Sequence, residues 1–172
     1  IVAGFSHLHL SGTGIGDLSD ILFMPINKKV DLTTPTTSRD LLPYKSRYSH
    51  TNETSKPGYY QVYLNDPKIN VELTASQRTS FHKYTFAEKE AQSVIIDLGF
   101  AINWDKATKT GITVEDETTI SGFRFSTGWA KNQKVFFVAK FSKPISEASL
   151  IANHKIVQGK TSEGEKTAAQ LF

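Results

Sequence analysis

Between Ile69 and Ala75 apolar and polar residues alternate without a break, the period-2 pattern of a strand with one face on a core. That face is Ile69, Val71, Leu73 and Ala75. Aromatic and β-branched runs at residues 59–64, 80–86, 93–98, 118–126 and 135–141 predict further strands. Turn signals such as Lys56-Pro57-Gly58 and Asn65-Asp66-Pro67 punctuate them. An apolar run at residues 21–26 is interrupted by Pro25, and only residues 87–92 have the composition of a helical turn. With alternating βαβ units missing, the pattern predicts an all-β fold, an antiparallel β-sandwich with long loops. The longest loop is residues 27–55, rich in Thr, Ser, Asp and Lys and carrying Pro35 and Pro43; excursions of this length serve as lids or connectors. There is no internal repeat.

Composition narrows the class. A chain of 172 residues is one domain by length and buries roughly 70% of its unfolded surface. The 38% hydrophobic content, with 11 Phe, 6 Tyr and 2 Trp, is that of a folded globular chain. Twenty Lys plus Arg against 17 Asp plus Glu leave a charge of +3, with no aromatic-interleaved basic run, so a nucleic-acid partner is not expected. No apolar run approaches the ~20 residues of a membrane span. The absence of cysteine excludes disulfides and thiolate metal sites and leaves the compartment unread. The chain starts at Ile1 without methionine or signal segment, and is read as a fragment.

The chemistry concentrates in Gly4-Phe5-Ser6-His7-Leu8-His9-Leu10-Ser11-Gly12-Thr13-Gly14-Ile15-Gly16-Asp17, which holds two imidazoles, three hydroxyls and four glycines. Histidines at i and i+2 of an extended segment share a face, roughly 7 Å apart. The glycines permit left-handed torsions and close approach of main-chain amides to a ligand. A dinucleotide loop is excluded by the glycine spacing and by the apolar strand, rather than a helix, that follows. A metal site would use His7 and His9 with a third ligand from Asp17, Asp20, His50 or His82. In the plainest reading one histidine is hydrogen-bonded to backbone and the glycines shape a turn.

Elsewhere, Trp129 between Gly128 and Ala130 is a candidate for stacking on a sugar ring. Trp104, ahead of Asp105-Lys106 and a predicted turn at Gly111, reads as a loop-tip or interdomain packing residue. Arg78 and Arg124 fall in strand patterns, where ion-pair or solvated roles compete with binding carboxylates or sugar hydroxyls. Glu115, Asp116 and Glu117 have the composition of a solvated turn rather than of a tuned acid and base. Asn52-Glu53-Thr54 is a glycosylation sequon and carries no weight.

The opening segment, continued through Leu18-Ser19-Asp20-Ile21-Leu22-Phe23-Met24-Pro25, resembles the amino-terminal domain of the glycoside hydrolase family 92 α-mannosidases. Motifs in matching order extend the resemblance over nearly the whole chain: Lys56-Pro57-Gly58-Tyr59-Tyr60, Val71-Glu72-Leu73-Thr74-Ala75, Phe81-His82-Lys83-Tyr84, Gly122-Phe123-Arg124, Gly128-Trp129-Ala130 and Val135-Phe136-Phe137-Val138. The resemblance implies a single β-sandwich domain over residues 1–172 of a larger calcium-dependent, exo-acting, inverting enzyme. Its partners would be a carboxy-terminal (α/α)6 catalytic domain and terminal α-mannosides of glycans. The catalytic carboxylates of an inverting enzyme, held roughly 6.5–9.5 Å apart, would sit on that barrel, and the calcium ion has no ligand assignable here. The enzyme would be secreted, periplasmic or on the cell surface. This chain would supply a pocket wall through His7, His9 and Ser11, with Trp129 a further substrate contact. The alternatives are an autonomous carbohydrate-binding module, or a structural brace for the barrel.

Overall fold

A computed structural model describes residues 1–8, 18–36, 38–102 and 104–172. Thirteen strands, numbered in chain order, form three antiparallel sheets among the described residues. The first sheet has the order β1 (Leu22–Ile26), β6 (Ser93–Asp97), β13 (Thr167–Leu171), β10 (Ala148–Ala152) and β11 (Lys155–Val157). The second runs β12 (Thr161–Gly164), β7 (Lys106–Val114), β8 (Thr119–Thr127) and β9 (Gln133–Lys140). The third is a meander of β2 (Glu53–Lys56), β3 (Tyr59–Leu64), β4 (Ile69–Ala75) and β5 (Ser80–Phe86).

The five-stranded sheet is packed on both faces, and the strand sequences show why. In β1 and β6 every position but the last of β6 is buried. Side chains alternate across a strand, so Phe23, Val94 and Ile96 enter one core with Ile112 and Ile120 of the second sheet. Leu22, Met24 and Ile95 enter the other, with Val62, Leu64, Ile69 and Val71 of the third sheet. A strand covered on both sides reads as an unbroken apolar run rather than an alternation. The sandwich therefore has three layers. Pro25, which lacks an N–H, is accommodated because β1 is the edge of its sheet, paired to β6 through Pro25↔Val94.

The long segment between β1 and β2 is a strap over the second core. Leu42 and Tyr44 are buried there, with Val30 and Leu32 packed beside them. It is tied at both ends. The Gln170 side chain accepts from Val30 N and donates to Lys28 O, and Val2 exchanges backbone hydrogen bonds with Ser46. Two short 3-10 turns, Arg39–Leu41 and His50–Asn52, are capped by Ser38 and Ser49.

Four sequence expectations need correction. Residues 87–92 form a turn, with Ala91 at φ 48°, instead of a helical turn; six residues cannot repay helix nucleation unaided. Arg78 lies in the exposed bend between β4 and β5 and not in a strand. Ala75 is exposed at the end of β4, beyond the core that buries Ile69 and Val71. Gly111 is inside β7, where the Phe123 ring of β8 lies over it: a Cβ at Gly111 would stand 2.5 Å from Phe123 Cε1. β7 itself is hard to read because its pairing shifts between Ala107 and Lys109, a bulge that breaks the period of two.

Glycine is equally required at Gly122, where a Cβ would lie 2.5 Å from the Gly111 carbonyl oxygen and 2.5 Å from the Phe137 ring. Because one obstacle is backbone, Gly122→Ala is expected to lower unfolding free energy by about 1–3 kcal/mol. Urea denaturation followed by tryptophan fluorescence measures it.

Candidate functional site

Residues 5–8 run antiparallel to residues 20–23 and form the base of a hairpin. Phe5 and Phe23 exchange both backbone hydrogen bonds, at 2.8 and 3.0 Å. Further out, His7 N donates to Asp20 O and Asp20 N to Leu8 O. Residues 9–17, which include the predicted site residues His9 and Ser11, lie outside the described residues. At the hairpin base Gly4 adopts φ 155°, with Leu22 Cγ 2.7 Å from where its Cβ would be. Leu18 and Ile21 take left-handed torsions, φ 60° and 57°. For a β-branched residue that conformation is strained and needs surrounding structure to hold it.

That structure is an ion cluster with no solvent access. Arg124 of β8 and Asp20 are fully buried and Asp105, just before β7, is 1% exposed. The guanidinium is salt-bridged to Asp20 and to Asp105. It also donates from Nε to Leu98 O (2.9 Å) and from Nη2 to Phe100 O (3.3 Å). Arg124 thus joins the hairpin base, the chain after β6 and the start of β7 at one end of the sandwich. Its place was visible in the strand period: Ile120, Arg124 and Ser126 share parity, and all three are buried.

His7 belongs to the base of the hairpin. Its Nδ1–H donates to Ile21 O at 2.6 Å, leaving Nε2 as acceptor. The ring stacks on His82 of β5 with centroids 4.7 Å apart and an interplanar angle of 6°, while Phe23 meets it edge-on at 4.9 Å. Tyr84 shares a 2.7 Å hydrogen bond with His82 Nδ1. Desolvation lowers the pKa of His7. Burial, with His7 alongside, holds His82 down at about 4. Two parallel imidazoles in contact stay neutral together at pH 7; the sequence names His82, with Asp17, Asp20 and His50, as a third metal ligand beside His7 and His9, and not as a ring stacked on His7.

The tryptophans meet at the same end. β7 begins where β8 ends, with Lys106 opposite Thr127, so Trp104 and Trp129 come together edge to face at 6.5 Å. Both are exposed, Trp129 at 67%. Sequence did not pair them, because the turn expected at Gly111 hid the strand that joins them. Beside the hairpin, a groove of about 710 Å³ is lined by Gly4, Phe5, Ser6, Tyr48, Tyr60 and Ile102 among others. At the opposite end of the β7–β8 ladder, Glu115, Asp116 and Glu117 form the exposed turn expected of them. Thr118 N donates to Asp116 at 2.7 Å, and that contact holds the carboxyl below its usual range.

Of the metal-ligand candidates among the described residues, His7 and His82 stack on each other, Asp20 faces Arg124, and His50 is exposed and paired with Glu53; His9 and Asp17 lie outside the described residues. No three His, Cys, Asp or Glu side chains assemble for a cation among the described residues. The carboxylates of Asp20 and Asp105 are each paired with the Arg124 guanidinium. No helix among them is long and apolar enough to cross a membrane.

The profile of the Glycosyl hydrolase family 92 N-terminal domain matches residues 1–172. The chain belongs to that family. Among solved structures, the family 92 domain is similar to a GH92 alpha-mannosidase from Bacteroides thetaiotaomicron in complex with mannoimidazole, at 31% identity and a TM-score of 0.89. A second structure of the same enzyme matches equally, at 31% identity and 0.89. The GH92 glycosyl hydrolase ccman5, at 21% identity and a TM-score of 0.81, shares the fold. Each alignment covers 98% of this chain but only 23–24% of the other, so the chain spans about a quarter of the structures it matches. No curated protein sequence matches.

Two outcomes are expected. Arg124→Met leaves two buried carboxylates without their counter-charge and costs about 3–5 kcal/mol in urea unfolding at pH 7. For His82 the folded pKa lies below its unfolded value, so the unfolded chain binds more protons and stability falls as pH drops from about 6.5 toward 4. The part carried by His82 is about 2 kcal/mol between pH 7.5 and pH 5. His82→Phe removes that part of the slope, which urea titrations at the two pH values compare.

Proposed function

We propose that this family 92 domain is the non-catalytic sandwich of an exo-acting, inverting α-mannosidase, and that its amino-terminal hairpin forms part of the substrate-pocket wall and of the contact with the catalytic domain. The supporting observation is structural economy at one end of the molecule. A buried ion cluster, strained torsions at Leu18 and Ile21 and an exposed tryptophan pair are gathered around the base of one loop. A loop that only connected two strands would need none of them.

Within this proposal the histidines divide their work. His7, hydrogen-bonded to Ile21 and stacked on His82, sets the direction of the hairpin. His9 and Ser11 reach the sugar. A neutral imidazole offers a donor and an acceptor to sugar hydroxyls without adding charge beside an oxocarbenium-like centre. The catalytic acid and base, and the calcium ligands of an enzyme of this kind, belong to the (α/α)6 domain. The isolated domain is then inactive, and the enzyme acts on glycans outside the cytoplasm.

The test is kinetic. In the two-domain enzyme, His9→Ala is expected to lower kcat/KM for an aryl α-mannoside at least about tenfold, equivalent to about 1.4 kcal/mol, with unfolding unchanged. Unaltered kinetics would reject the pocket-wall role. The 67% exposure of Trp129 favours a second reading, an autonomous carbohydrate-binding module. Saturable amide shifts around Trp129 when the isolated domain is titrated with methyl α-mannoside would select it.

A further inference from the structure

The hairpin base is tied to a sheet that it does not belong to. β5 is the edge strand of the third sheet, with Leu73 of β4 opposite His82. Side chains alternate along it, so His82, Tyr84 and Phe86 turn inward while Phe81, Lys83 and Thr85 are exposed. This parity brings the His82 ring flat against His7, with centroids 4.7 Å apart. Phe23 of β1 stands edge to face with both rings, at 4.9 Å from His7 and 6.1 Å from His82.

Neither imidazole is free to turn. His7 Nδ1–H is held by Ile21 O, inside the hairpin base. Tyr84, two residues beyond His82 on the same face, packs against both cores. Its hydroxyl lies 2.7 Å from His82 Nδ1 and has no other partner among the described residues. An interior hydroxyl keeps its proton satisfied, so Tyr84 donates to Nδ1 and fixes the plane of the His82 ring. Glu72 and Lys83, the charged residues of β4 and β5, pair with each other at exposed positions. The contact between the histidines is therefore aromatic and not ionic.

The stack supplies what the backbone does not. The hydrogen bonds of Phe5 with Phe23, and of His7 and Leu8 with Asp20, hold the two sides of the hairpin to each other. A two-stranded ladder alone is marginal in water and does not fix its own direction. Two side-chain ties lead out of it. Asp20 joins it to the second sheet through Arg124, and His7 joins it to the third through His82.

We infer that His82 is a positioning residue of the substrate pocket. Oriented by Tyr84, it sets the direction of the amino-terminal hairpin from the third sheet, and it acts on the sugar site through that hairpin without touching sugar. Its effect on catalysis rests on the pocket-wall reading above; its hold on the hairpin does not.

The experiment compares the full-length two-domain enzyme with its His82→Ala and His82→Phe variants. It reads hydrogen–deuterium exchange of peptides reporting residues 4–8 and 18–23, and kcat/KM for an aryl α-mannoside. Alanine removes the ring, whereas phenylalanine keeps a flat face toward His7. His82→Ala is expected to speed exchange at the hairpin base at least about threefold and to lower kcat/KM at least about fivefold, the scale of one aromatic pair. Exchange in β10 and β13 stays unchanged, which separates the effect from general unfolding. His82→Phe is expected to bring both readings back to within about twofold of the parent enzyme. Because His82 works through the hairpin, adding His9→Ala to His82→Ala lowers kcat/KM by less than the product of the two single effects. Unchanged exchange in His82→Ala, a loss in His82→Phe as large as in His82→Ala, or fully multiplicative effects would each overturn the inference. A kinetic response to His9→Ala but not to His82→Ala would overturn it while leaving the pocket wall standing. Faster exchange in His82→Ala with kinetics indifferent to both substitutions would overturn the pocket-wall reading, and the positioning role with it.

Discussion

A guanidinium with no access to water organises the upper end of this domain. Transferring Arg124, Asp20 and Asp105 from water costs several kcal/mol per ion, recovered only where geometry supplies opposite charge and hydrogen bonds together. Here it does: Asp20 and Asp105 provide the charge, and Leu98 and Phe100 provide carbonyl oxygens. The arrangement specifies position more than it adds stability. The segments around Asp20 and residues 98–105 must converge on one side chain of β8, and any other register would strand a charge.

The hairpin inherits its direction from that convergence. Asp20 pairs with Leu8 across its base, and Leu18 and Ile21 on either side of it take left-handed torsions. Below it, His7 is held by Ile21 O, by the His82 ring and by the edge of Phe23. The tryptophans share the platform because Asp105, the residue after Trp104, is one of the two carboxylates on Arg124.

The central sheet supplies the other constraint. Covered on both faces, it lets one strand feed two cores, so Phe23 and Leu22, adjacent in the chain, serve different layers. It also leaves its ends as the places where polar groups gather. The hairpin and the Trp104–Trp129 pair both sit where β1 and β7 begin and β6 and β8 end, while the β7–β8 turn with its three acids occupies the opposite end.

Strands with a clear period were legible from residues alone, because alternation at Ile69–Ala75 and aromatic runs such as Tyr59–Leu64 follow from the two-residue repeat of an extended chain. So were the family and the chemical interest of the opening glycines and histidines. β7 and the four short strands from Ala148 onward were not legible: a bulge interrupts β7, and small polar residues give the others no pattern. The number of layers was likewise hidden, since a wholly apolar strand does not say what covers each face. Burial of Arg124, pairing of its carboxylates 104 and 19 residues away, and stacking of His7 on His82 belong to tertiary structure. They depend on distances closed by three sheets at once, and local sequence encodes the parity of a side chain but not the partner waiting on that side.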